Sequence, residues 1–242
     1  MSKFNFLILI TFICNSLFGQ INENYFDKLL ASSFKAYQEV DFELSNNMFP
    51  FIKKRFLEHL QDSSSFTNPF DSLSSYIEIK YASDSLVRTY SWNERDNGCC
   101  YSSEIYAQFK TESGNIKYID LKDADDGDEE IFITDLKMIK LKNKPFYLIL
   151  GWGTCCGGKH YATAKVYGIK NDSFYKSENI FNDEANLYIG ANRGDTIDLK
   201  YSSSQKLLSY NSYGELGDSG FYEQEKSVVK WKLYKKGFKR IN

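Results

Sequence analysis

From residue 76 to residue 235 the chain repeats short runs in which apolar and polar residues alternate, and a period of two predicts strands rather than helices. In the first run Ile77, Ile79 and Tyr81 share one face while Glu78 and Lys80 take the other. The pattern predicts strands at 76–82, 85–93, 103–111, 115–121, 130–140, 145–152, 160–169, 173–181, 186–190, 195–201, 206–211 and 227–235, about a dozen. Turn chemistry separates several of them, at Ser113-Gly114-Asn115, Asn171-Asp172-Ser173 and Arg193-Gly194-Asp195. Residues 146–152 are apolar on both faces, as suits a central strand. No interval reads as a crossover helix. The expected fold is therefore mainly β, an antiparallel meander, with propeller-like four-stranded units as one way of grouping it.

Upstream the period lengthens. Phe26, Leu29, Leu30, Phe34 and Tyr37 recur at helical spacing, and a second helix is expected from Pro50, with Ile52, Phe56, Leu57 and Leu60 as its stripe. Residues 61–75, rich in Ser, Asp and Asn, read as a linker. Ahead of the helices, Lys3, an apolar run over 4–13 and small residues at Ser16 and Gly19 have the layout of a signal peptide ending near Gln20. The run is too short to span a bilayer, and Phe12 and Ile13 are too large for lipid attachment at Cys14. The expected organisation is a signal peptide over 1–20, a helical segment and linker over 21–75, and a β-meander domain over 76–242. Such a chain is exported to the periplasm or beyond and has no transmembrane segment.

Charge changes the picture mainly by exclusion. The chain carries 30 Lys and Arg against 32 Asp and Glu, and the leader holds only Lys3. A nearly neutral chain lacks the basic field that nucleic-acid binding requires. The 18 tyrosines and 19 phenylalanines suit large flat side chains packed on pleated surfaces. Near the C-terminus Val229, Trp231 and Leu233 alternate with Lys230 and Lys232, in a stretch that also holds Lys226, Lys235, Lys236, Lys239 and Arg240. That pattern predicts an edge strand with a charged outer face, or a patch for an anionic glycan or lipid head group.

Two vicinal cysteine pairs follow two tryptophans. Trp92 leads through a polar loop to Cys99-Cys100 and then a strand, and Trp152 leads through Thr154 to Cys155-Cys156 and then another. If the meander is built of four-stranded units, both loops join second strands to third and emerge at one end of the fold. Export makes oxidation the default, so bridges between the loops are expected, closing rings of about 55 residues and contributing ~4 kcal/mol for the first. Four cysteines allow three connectivities. A thiolate metal site joined by His160 is the competing arrangement, but adjacent residues on an extended chain point opposite ways. Asp123, Asp125, Asp126 and Asp128 around Gly127 form a weak calcium candidate that does not follow the twelve-residue loop template, and the favoured reading of the run is a solvated turn between strands. No other cofactor is implied.

The strand motifs Arg88-Thr89-Tyr90-Ser91-Trp92, preceded by Ser83-Asp84, and Tyr147-Leu148-Ile149-Leu150-Gly151-Trp152 resemble those of uncharacterised exported proteins of Bacteroidetes-type bacteria over residues 76–181. Many of those proteins carry Gly, Thr or Asp where this chain has its cysteine pairs. The resemblance implies an exported β-rich domain and brings no activity to any residue. The two histidines, His59 and His160, lie in no recognisable nucleophile arrangement, and no glycine-rich phosphate loop opens a helix. The expected function is a non-catalytic binding module of the cell envelope for a protein or glycan ligand. Its surface would be built from Trp92, Tyr101, Trp152 and His160, rimmed by Asn93, Glu94, Arg95 and Asp96. The alternative is an envelope hydrolase using paired carboxylates, which a cleft holding two of them would favour.

Overall fold

The computed structural model describes residues 25–95, 102–122, 131–155, 157–182 and 184–241. The leader, Asp96, Cys99, Cys100, Tyr101, Cys156 and the acidic run 123–130 with its calcium candidates lie outside the described residues, and of Cys155 only the backbone is described. Two compact units make up the chain, Met1–Ile77 and Glu78–Asn242.

The first unit holds helix α1 (25–39) and helix α2 (Phe42–Gln61). Helix α2 begins eight residues before Pro50, where the sequence pattern had placed its start. The Asp41 carboxylate accepts the Leu44 N–H at 2.9 Å, and Glu43 complements the dipole in the first turn, so the cap and not the proline sets the boundary. Leu30, Phe34 and Tyr37 of α1 and Ile52, Phe56 and Leu60 of α2 are buried. Phe34 meets Phe56 edge to face at 6.3 Å. The stretch 61–75 is not a linker. It forms 3-10 turns at Ser63–Thr67 and Leu73–Ser75 with Phe70 and Leu73 fully buried. The Asp27 carboxylate accepts the N–H groups of Ser72 and Leu73 at 2.9 Å each, a long-range partner invisible in the local composition.

Among the described residues the second unit is thirteen strands in three antiparallel sheets. The first sheet is β1 (Glu78–Tyr81), β2 (Val87–Asn93), β3 (Ser103–Lys110) and β4 (Ile116–Asp120). In the second, β5 (Phe132–Leu141), β6 (Lys144–Cys155), β7 (Lys159–Lys170) and β8 (Ser173–Lys176) follow in order. Strand β9 (Asn186–Asn192) also pairs with β7, along Lys159–Lys165, while β8 takes Tyr167–Lys170. The third sheet is β10 (Lys200–Ser202), β11 (Leu207–Ser212), β12 (Ser227–Leu233) and β13 (Phe238–Ile241). Apart from β9, which returns to β7, each sheet runs in sequence order, so the fold is the antiparallel meander that the alternation predicted.

Two expectations are corrected in the third sheet. Strand β12 is not an edge, because β13 pairs with it on the side away from β11. The strand expected at 195–201 shrinks to Lys200–Ser202, and residues 193–199 become a wall of the cleft described below.

The second sheet is the middle layer. Side chains of β6 alternate between two cores: Leu148 and Leu150 pack with Leu208, Val229 and Trp231 of the third sheet, Tyr147 and Ile149 with Val87, Ile105 and Phe109 of the first. Burial on both faces explains why this segment shows no polar alternation. Each such side chain contributes about 1.5–3 kcal/mol. The Ser91 hydroxyl accepts the Ile133 N–H at 3.2 Å, and Ile133 lies opposite Gly151. The end of β2 and the end of β6 are therefore neighbours. The strand ends that bracket both cysteine-bearing connections lie at one end of the sheets, and the β3–β4, β5–β6 and β7–β8 turns lie at the other.

Candidate functional site

Trp152 and His160 come from adjacent strands on one face of the middle sheet. His160 lies opposite Thr154, and Trp152 is two residues further along β6, which places the rings diagonally. The Trp152 Nε1–H donates to His160 Nδ1 at 2.9 Å, and the rings meet edge to face at 6.2 Å. That bond fixes the neutral tautomer, because a nitrogen that accepts cannot carry the proton, so Nε2 holds it. Nε2 is buried and has no hydrogen-bond partner among the described residues. A buried donor left unpaired costs about 1–3 kcal/mol.

Both rings line a cleft of about 420 Å³ together with Thr134, Arg193, Asp195 and Asp198. Thr134 is the extra residue of a β-bulge between Ile133 and Asp135, and its hydroxyl donates to the Leu150 carbonyl at 3.2 Å. Bulges re-aim a side chain without breaking the sheet. The opposite wall, residues 193–199, follows a turn closed by the Asp195 N–H on the Asn192 carbonyl at 2.9 Å. Strand β11 and the residue after it pin this wall. Asn211 donates to the Thr196 carbonyl at 2.7 Å through its side chain and to the Ile197 carbonyl at 2.7 Å through its backbone. The Tyr213 hydroxyl accepts the Thr196 N–H at 3.1 Å. The Asp198 carboxylate pairs with Lys200 at 2.6 Å. Asp195 is half-buried, and its carboxylate has no hydrogen bond or ion pair among the described residues. The cleft is thus lined by an indole, an imidazole whose buried N–H has no acceptor among the described residues, a hydroxyl, an uncommitted carboxylate and a guanidinium.

Of the residues expected to form a binding surface, Trp152 and His160 are brought together. Trp92 is not at the surface. It is 3% exposed and stacks on Tyr106 at 5.8 Å. The motif that contains it is scaffold: Arg88, Tyr90 and Trp92 on β2 face Gln108, Tyr106 and Glu104 on β3, and all six are buried. Arg88 Nε and the Tyr90 hydroxyl both donate to Gln108 Oε1, at 3.0 and 2.9 Å, and the Tyr106 hydroxyl donates to Glu104. Burial pushes both phenols well above their ordinary value, so both stay protonated at neutral pH. Arg193 and Asp195 fell in a segment read as a turn and a strand start, and Asp198 within that strand. Only the Arg-Gly-Asp turn hinted at a break there. Among the described residues no group of three or more His, Cys, Asp or Glu side chains is placed to hold a metal ion. No described helix is long and apolar enough to cross a membrane.

No family model matches the chain, and comparison with curated proteins and with solved structures found no match.

Proposed function

We propose that this chain is an exported binding module of the cell envelope whose ligand seat is the Trp152–His160 cleft. The observation that carries the reading is the His160 Nε2–H, fixed as a donor by Trp152 and given no acceptor of its own. Around it the cleft mixes donors and acceptors: Arg193 and Thr134 can donate, and Asp195 and Thr134 can accept. An indole beside such a set suits a neutral polyhydroxylated ligand, so a glycan fits better than an anion or a cation. Bridges between Cys99-Cys100 and Cys155-Cys156 belong to the same proposal. Their support is the adjacency of the β2 and β6 ends through Ser91 and Ile133.

The second reading, a carboxylate-based hydrolase, draws on Asp195 and Asp198 lining one cleft. The Lys200 partner of Asp198 argues against it, since it ties up one of the two carboxylates.

Titrating the chain with peptidoglycan-derived and other envelope oligosaccharides, followed by tryptophan fluorescence, tests the proposal. Saturable binding weakened about tenfold by Trp152→Ala and by Asp195→Asn is expected, each removing an interaction of ordinary strength. Absence of binding across the panel, or affinities indifferent to both substitutions, would overturn it. Release of new reducing ends that Asp195→Asn abolishes would replace it with the hydrolase.

A further inference from the structure

At the other end of the sheets lies a second cleft, of about 520 Å³, that the proposed function does not use. Its floor is apolar: Leu86, Phe146, Ile169 and Tyr175 line it, each only half-buried. Its rim holds Lys110 at the end of β3, Lys144 at the start of β6 and Lys170 at the end of β7. All three lysines are exposed, and none of their ammonium groups has a hydrogen bond or ion pair among the described residues. The single carboxylate on the lining, Glu112, accepts the Asn171 N–H at 3.2 Å.

The walls are built rather than incidental. The β3–β4 turn of the first sheet is joined to the β7–β8 turn of the second by Asp172, which accepts the Ser113 N–H at 3.0 Å and the Ser113 hydroxyl at 2.8 Å. Lys117 adds a bond to the Asp172 carbonyl at 3.2 Å. Tyr175 reaches Gly168, where a Cβ would come within 2.8 Å of its hydroxyl and 3.0 Å of Phe146. Only glycine leaves room for this arrangement of the two rings. The result is an apolar hollow with three uncompensated ammonium groups around its mouth.

We propose that this cleft binds an amphiphilic anion, with an apolar body on the Leu86–Phe146–Ile169–Tyr175 floor and a carboxylate or phosphate head among Lys110, Lys144 and Lys170. Apolar burial supplies most of the affinity, and the lysines select the sign of the head group. A cation of the same shape meets three like charges. An anion without the apolar body has only exposed ammonium groups, which hold it weakly.

Calorimetric titration of the full chain with monomeric dodecanoate tests this, beside dodecyltrimethylammonium and acetate. Dodecanoate is expected to bind one to one, with acetate silent and the cation at least about tenfold weaker. The triple change Lys110→Gln, Lys144→Gln and Lys170→Gln removes three exposed charges without touching the core, and is expected to weaken dodecanoate about tenfold. A control that changes Lys226, Lys230 and Lys239 to Gln leaves binding unchanged. Equal binding of the cation, equal loss in both triple variants, or no dodecanoate binding would each overturn the proposal. So would capture of the chain by phosphatidylglycerol vesicles without uptake of free dodecanoate, because that assigns the lysines to a flat bilayer surface rather than to an enclosed anion.

Discussion

Gly190 shows how a single position carries a whole contact. It sits in β9 opposite Tyr161, and a Cβ placed on it would come within 1.7 Å of the Tyr222 hydroxyl and 2.3 Å of Tyr222 Cζ. Asn192 holds Tyr222 in place, donating to its carbonyl at 2.8 Å and accepting its N–H at 3.1 Å. With that backbone held, relief of the contact must come from the side-chain torsions of Tyr222. Gly190→Ala is therefore expected to lower stability by about 1–3 kcal/mol through overpacking, read as a fall in Tm. In a Tyr222→Ala background the same change should cost nearly nothing, so the two effects are strongly non-additive. Additive losses in that double-mutant cycle would show that the ring contact is not the reason for the glycine. A glycine inside an alternating segment already signals close approach, but only the structure names the partner, because Tyr222 lies 32 positions further on. Trp92 gives the converse lesson. Its alternation with Tyr90 and Arg88 was legible, whereas the cover that buries both faces of β2 comes from contacts distant in sequence.

Among the elements, the short turns were the most legible and the termini of strands and helices the least. Asn171 and Asp172 both take positive φ, 49° and 61°, the conformation a two-residue hairpin turn requires and Asn and Asp tolerate. The same form at Lys142-Asn143 had weaker residues to announce it. Strand β13 went unseen because it is four residues long and half charged. Its anchor is Phe238, fully buried and stacked on Phe181 at 5.1 Å. Asp172 does more than close its own hairpin, since it ties the β7–β8 turn to the β3–β4 turn. The Ser113 N–H, and next its hydroxyl, hold the Asp172 carboxyl below its ordinary value of 3.8. A lowered folded pKa means that the carboxylate stabilises the folded state above the unfolded value. That contribution is lost as pH falls through the lowered one. Asp172→Asn should accordingly lower Tm near neutral pH, and the gap from the parent chain should close as the pH drops below about 3.8. Paired Tm measurements across that window check it, and a gap independent of pH would assign the effect to something other than the charge.

For the molecule as a whole, the period-two pattern was enough to fix a meander, because the sheets are assembled from consecutive strands with one exception, β9, which skips β8 to pair with β7. The Trp152–His160 half of the candidate site was legible for the same reason, lying within one hairpin. The Asp195 wall was not, because it reaches the cleft only through Asn211 and Tyr213. The meander also bears on the proposed bridges. Both connections that carry them join the second strand of a sheet to the third, and the Ser91–Ile133 bond sets the β2 and β6 ends side by side. Bridges across that end would link the first sheet to the middle one at the mouth opposite the lysine-rimmed cleft. They would close a long loop and restrict the unfolded chain, with about 4 kcal/mol expected from the first and less from a second that closes nearly the same ring. If the chain is exported and its leader removed, as proposed, its intact mass should fall short of the reduced mass by two hydrogens per bridge, with two bridges expected. Reduction should lower Tm by roughly 8–16 °C for a chain of this size. Four free thiols in the exported protein would remove the staple from the proposal, and a metal ion retained on native mass measurement would make the cysteines a binding site instead.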